Sequence, residues 1–191
     1  MPMPQFSDDN QVVYYFGFGT NKDLAMMQHM IGRENIIGEP GKLRGYEVCI
    51  QRADQFRTEI PKDSPFPSSP KDLITGSWGP EFEMYVSQPN IDGVAYGTIW
   101  QITPPELELV REWELVDYGA QEDAWGTAVN SKGEKFEVIT QSFMRPPIDI
   151  DRVVTGPDYE PYIWAKNDML KRADELRLQY LRFNKEDKPK L

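Results

Sequence analysis

The sequence predicts an α+β domain or a mixed barrel, with five or six strands joined by hairpins and long connections and with helices inserted singly. Two observations lead there. Apolar runs of strand length recur along the chain, and the regular strand–helix–strand alternation that a doubly wound sheet requires is absent. A third bounds the size: 191 residues suit one domain, taken here as 1–191, long enough for a core of its own. A hydrophobic content of 39% with 12% aromatic residues is that of a globular chain.

The first strand is expected over Val12 to Phe18, an apolar and aromatic run that stops at "GFGTNKDL". A short helix follows in "TNKDLAMMQHMIGREN", with Thr20 or Asn21 as its cap and Gly32 at its exit. Leu24, Met27 and Ile31 share one face, so the methionines read as core filler. Leu43 to Gln51 is the second strand candidate. Residues 53–92 are dense in Pro, Ser and Gly and read as a long insertion or loop, with room for a short strand at "FEMYVS". "GVAYGTIWQI" is the third strand, and Ala124 to Asn130 with Lys135 to Phe143 forms a hairpin that turns at Gly133. No internal repeat occurs. The chain ends in a helix over 160–186, whose stripe Tyr162, Ala165, Met169, Ala173, Leu176, Tyr180 and Phe183 recurs in steps of three and four. Its last turns are a candidate homodimer contact. The tail "NKEDKPKL" has the composition of a disordered end.

Composition also excludes functions. A formal net charge of −10 argues against a general nucleic-acid binder and against an anionic-membrane binder, both of which carry a basic footprint. A small anionic ligand stays open if a local site overrides that field. The one cysteine, Cys49, cannot form an intrachain disulfide and reads as a buried small hydrophobe. The one histidine, His29, leaves no basis for His–Cys zinc sites or His-based triads. No run approaches the ~20 apolar residues of a membrane helix, and the opening residues lack a signal-peptide core, so a cytoplasmic address is expected.

The stretch "QITPPELELVREWELVDYG" carries the chemistry. Thr103 caps a helix, Pro104 takes its first position and Glu106 completes a capping box. At about 100° per residue, Leu107, Leu109, Val110 and Trp113 cover one arc. Glu114 falls inside that arc, whereas Glu108 and Glu112 fall on the solvent side. Either the helix frays before residue 114 and this carboxylate reaches water, or it points inward. Pointing inward, it loses hydration, its pKa rises and it can shuttle a proton.

"FGFGTNKDL", then "GVAYGTIWQI" before a capped helix ending in "REWEL", then a Tyr/Pro-rich return into a last helix, resembles the gamma-glutamylcyclotransferase-like superfamily. The resemblance covers most of the chain apart from 53–92 and the long final helix. It implies a small, mixed, mostly antiparallel β-barrel with flanking helices, needing no metal or organic cofactor. It places an anion loop on Phe18, Gly19, Thr20, Asn21 and Lys22, and the catalytic glutamate on Glu114. It places substrate-contacting tyrosines at Tyr118 and at Tyr159 or Tyr162. The implied partner is a small gamma-glutamyl amide. Backbone N–H groups of Gly19 to Lys22 would hold its α-carboxylate while Glu114 moves a proton, giving 5-oxoproline and a free amino acid or amine. The 53–92 segment is a candidate lid. The sequence departs from the family's pattern at five places. Phe18 replaces a tyrosine, Thr20 a serine while keeping its hydroxyl, Lys22 a leucine, Arg111 an aspartate, and Leu115 the glycine after the glutamate. Lys22 adds a charge suited to a carboxylate. These departures motivate the competing reading, a non-catalytic protein that uses the same fold to bind a small ligand or a protein.

Overall fold

A computed structural model describes residues 6, 8–143 and 150–186. The described strands are β1 (Val13–Gly17), β2 (Ile37–Arg52), β3 (Glu83–Ile102), β4 (Glu122–Asn130), β5 (Lys135–Ser142) and β6 (Arg152–Val154). The described α-helices are α1 (Leu24–Ile31), α2 (Pro70–Trp78), α3 (Pro104–Trp113) and α4 (Lys166–Glu186).

Strand order β3-β1-β5-β4-β2 closes on itself through a β2–β3 pairing, and β6 adds to the outer part of β2. Five strands therefore make a closed barrel with no free edge of its own. β1 meets β5 in parallel, at Tyr15 and Ile139, and the other pairings are antiparallel. β2 and β3 are long because each serves twice. Their halves Ile37–Arg44 and Val94–Gln101 belong to the barrel wall, and beyond a register shift at Arg44/Tyr46 they continue as a ribbon pairing Tyr46–Arg52 with Glu83–Pro89.

Alternation along the strands sorts side chains to two faces. Phe16 of β1, Leu43 of β2, Ile99 of β3, Ala128 of β4 and Val138 of β5 fill the barrel. Val13, Tyr15, Trp100 and Ile139 point outward under α1 and α3. A third cluster, with Cys49, Ile74, Phe82 and Met169, joins the ribbon to α2 and α4. Cys49 is fully buried there, as expected.

Four sequence expectations shift. Gly19–Lys22 is spent on a 3-10 turn, so α1 starts later and its cap is Asp23, whose carboxylate accepts from the Met26 N–H, and not Thr20 or Asn21. The stripe rotates with the start: Met26, Met27, Met30 and Ile31 are buried, whereas Leu24 is 47% exposed. The 53–92 segment is not one long loop. Ser69 caps α2 with Pro70 in its first turn, and the last part is the beginning of β3, held by its pairing with β2. The final helix begins at Lys166, not 160, because the preceding residues are held against the barrel; the Tyr162 hydroxyl donates to Asp23 at 2.8 Å. Among the described residues no helix is long and apolar enough to cross a membrane. Most of the "NKEDKPKL" tail lies outside the described residues.

Candidate functional site

α3 runs as the capping box foretells, with the Glu106 carboxylate accepting from the Thr103 N–H at 2.8 Å. Leu107 and Val110 on its inner face are fully buried. The helix ends on Glu114, whose N–H still bonds the Val110 carbonyl, so its side chain keeps the helical direction and is only 8% exposed. Glu108 and Glu112 are half-buried rather than fully solvated.

Both Glu114 oxygens are held by amides. Oε1 accepts from Asn21 Nδ2 at 2.7 Å and Oε2 from Gln121 Nε2 at 2.5 Å. The other Asn21 amide hydrogen goes to the Tyr15 hydroxyl at 2.8 Å, and the Asn21 carbonyl accepts from the Trp100 indole at 2.7 Å. Burial pushes the Glu114 carboxyl up to about 7, with the two amide donors pulling the other way. Desolvation outweighs the hydrogen bonds because the donors are neutral. The result is a carboxylate fixed in one orientation that gains and loses a proton near neutral pH.

Leu115, directly after it, has φ 53° and is the non-glycine residue with positive φ among those described. A left-handed conformation costs an L-residue about 1–2 kcal/mol. The chain therefore makes the turn that a glycine would make at this point, with a leucine in its place, half-buried against the third core cluster.

The glycines of "FGFGTNK" answer to close packing. Gly19 has φ 57°, and a Cβ there would lie 2.5 Å from Cβ of Tyr85; at Gly17 it would lie 2.3 Å from the Asn21 carbonyl oxygen. Gly19→Ala is expected to cost roughly 2–4 kcal/mol by adding left-handed strain to a clash with the base of the Tyr85 side chain. Its thermal midpoint in calorimetry should fall by about 5 °C or more.

The remaining expected residues divide. Phe18, Thr20, Glu114 and Tyr118 line one cavity of about 730 Å³, walled by β3, α2, α3 and α4. Tyr118 donates to Glu112 at 2.8 Å. Asn21 acts through its side chain, not as a backbone donor, since its N–H bonds the Phe18 carbonyl at 3.0 Å. The Gly19 N–H is likewise taken, by the Tyr159 hydroxyl at 3.0 Å, which itself donates to the Tyr96 carbonyl at 2.8 Å. The expected cradle of four backbone donors is thus half engaged within the protein. Lys22 does not face a carboxylate site. Its ammonium donates to the Tyr159 and Pro157 carbonyls at 2.5 and 3.2 Å and sits 3.7 Å from the Tyr159 ring centre. Tyr159 and Tyr162 therefore brace the turn from behind, bonding Gly19 and Asp23 respectively. Arg111, in place of an aspartate, is buried and ion-paired with Asp123 and Asp117, a structural role behind α3. Gln121 and Tyr15 were not foreseen. The one signal for Gln121 is a glutamine among small residues in "YGAQED".

With this geometry in view, the chain has the gamma-glutamylcyclotransferase-like fold. A solved structure described as gamma-glutamyl cyclotransferase matches at TM-score 0.53 and 10% identity, over 94% of this chain and 89% of that one. An uncharacterised protein from Homo sapiens matches at TM-score 0.49 and 11% identity, over 94% and 90%. YkqA from Bacillus subtilis matches at 0.48 and 15%, over 95% of this chain and 57% of its own. At such identities the likeness speaks to the fold alone, and the last two carry no further argument. No family model matches the sequence, and no curated protein matches it significantly.

Proposed function

We propose that the protein cyclises a gamma-glutamyl amide to 5-oxoproline with release of an amine or amino acid, Glu114 acting as general base and then general acid. The observation that carries this reading is a buried carboxylate with a pKa of about 7, lining a cavity large enough for a small molecule. The ionised Glu114 takes a proton from the substrate's α-ammonium. The freed amine attacks the γ-carbonyl carbon of the same molecule, forming the ring C–N bond. The tetrahedral adduct collapses, the bond to the leaving nitrogen breaks, Glu114 returns its proton to that nitrogen, and the ring nitrogen passes its remaining extra proton to the released amine, which leaves as an ammonium. Atoms balance without water or an oxidant. Asn21 and Gln121 keep the carboxylate aimed through both changes of charge. Thr20 is the polar residue of the turn at the cavity wall, and its hydroxyl, which donates to Asn21 Oδ1 at 3.3 Å, would turn from that bond to meet the substrate's α-carboxylate.

A specific observation favours the non-catalytic alternative. Both Glu114 oxygens already have partners, and the Gly19 N–H is occupied, so a ligand could fill the cavity without meeting a reactive group. Incubation with a panel of gamma-glutamyl amino acids and gamma-glutamylamines, with 5-oxoproline measured by mass spectrometry, separates the two. Cyclisation requires release from at least one member. Binding without release from any member supports the alternative.

A further inference from the structure

The cavity is much larger than a gamma-glutamyl group, and what lines the surplus space is aromatic. Phe66 stacks on Tyr118 with ring centres 5.9 Å apart, and Trp78 stacks on Phe82 at 4.5 Å. Phe82 in turn meets Trp164 at 5.2 Å. Two of these rings are open to water, with Phe66 52% and Trp164 41% exposed. Large apolar rings facing a concave space are the usual lining of a site for an apolar ligand.

The charges point the same way. Besides Glu114, the lining includes the carboxylates Glu83, Glu112, Asp117 and Glu175; Glu83 pairs with Arg152, Asp117 with Arg111 and Glu175 with Arg172, whereas Glu112 accepts from the neutral Tyr118 hydroxyl. Arg172 is the cation among the described lining residues, and it is engaged: its guanidinium donates to the Ser77 carbonyl at 3.2 Å, pairs with Glu175 at 3.3 Å and lies 5.3 Å from the Trp78 ring centre. Glu112 is half-buried, with its pKa raised chiefly by burial. A leaving group carrying its own carboxylate would enter this surplus space beside Glu112, with the described cations around it already engaged by Glu83, Asp117 and Glu175.

We infer that the aromatic end of the cavity accepts the leaving group, and that this group is a bulky aromatic amine without a carboxylate, not a free amino acid. The inference rests on the cyclisation reading for the identity of the bond cleaved, but the recognition it describes is read by binding alone.

The test compares gamma-glutamyl-phenethylamide with gamma-glutamylphenylalanine and gamma-glutamylalanine, the first pair differing only in the carboxylate. Titration calorimetry with Glu114→Gln, in which turnover is suppressed, should give at least tenfold tighter binding of the phenethylamide than of either amino-acid amide. Phe66→Ala, at a half-exposed loop position where folding is not at stake, should weaken the phenethylamide about fivefold or more and shift gamma-glutamylalanine far less. Equal or tighter binding of gamma-glutamylphenylalanine overturns the carboxylate exclusion. Equal binding of the phenethylamide and the alanine amide overturns the aromatic subsite. Binding in the expected order with no 5-oxoproline from the unmodified protein leaves the subsite standing and overturns the cyclisation.

Discussion

Glu114→Gln should lower 5-oxoproline release by about a thousandfold in kcat, within the range of a lost general acid–base group, while changing KM little. Glutamine keeps the shape of the side chain and removes its capacity to accept a proton. The fold should tolerate it. Gln121 Oε1 is buried without a hydrogen-bond partner among the described residues, so a rotation of the Gln121 amide would let it accept from the new amide N–H. In the unmodified protein, kcat/KM should rise with pH through about 7, where Glu114 ionises, and then level off. The variant's residual rate should lack that step. Turnover that survives the substitution, or a rising limb that persists in it, would remove Glu114 from the proton path.

The same substitution should stabilise the protein in alkali. Glu114 has its folded pKa raised from the usual glutamate value of 4.5 to about 7 by burial. Below pH 4.5 both folded and unfolded chains hold the proton and nothing is lost. Between there and about 7 the unfolded chain has released the proton and the folded one has kept it, so stability falls as pH rises. Above about 7 the full cost of an ionised buried carboxylate is present, about 3 kcal/mol at 1.36 kcal/mol per unit. Glu114→Gln avoids that cost. Urea melts at pH 8.5 should show it more stable than the unmodified protein by about 1–3 kcal/mol, with the gap closing toward pH 4.5. A gap independent of pH would mean that Glu114 is not buried in solution. A variant more stable and nearly inactive is the pattern of a residue whose burial costs stability and serves function.

Legibility in the sequence followed the range of the interactions. The capping box of α3 and the apolar arc that includes Glu114 are contained within a dozen residues, and both stand in the structure as the spacing implied. The β4–β5 hairpin, turning at Gly133, is local in the same way. The start of α1 was misplaced because two polar residues, Thr20 and Asn21, qualify as caps, and only the barrel decides which stays free. Asn21 is drawn inward to Glu114 and Tyr15, which leaves Asp23 to cap. Lys22 looked like an anion ligand because its charge is visible in sequence and the carbonyls of Pro157 and Tyr159 that hold it are not. The beginning of β3 was legible only as a short strand at "FEMYVS". Its continuity with "GVAYGTIWQI" across the intervening proline and glycine comes from pairing with β2.

The amino-acid sequence alone determined an α+β chain of single helices among strands, a glycine-bearing turn after the first strand, and one glutamate falling within the apolar arc at the end of a capped helix. Each depends on contacts a few residues apart, where 3.6-residue periodicity and cap chemistry operate. Tertiary structure decided that β1 lies parallel to β5 and closes the barrel, and that Asn21 meets Glu114 across 93 residues. It also decided that the aromatic rings of α2, β3 and α4 surround one cavity with that carboxylate. Such contacts depend on where the closed barrel carries distant segments, and no local pattern encodes the partner. Burial follows from closure, and burial moves the Glu114 pKa to where a proton can be exchanged at neutral pH.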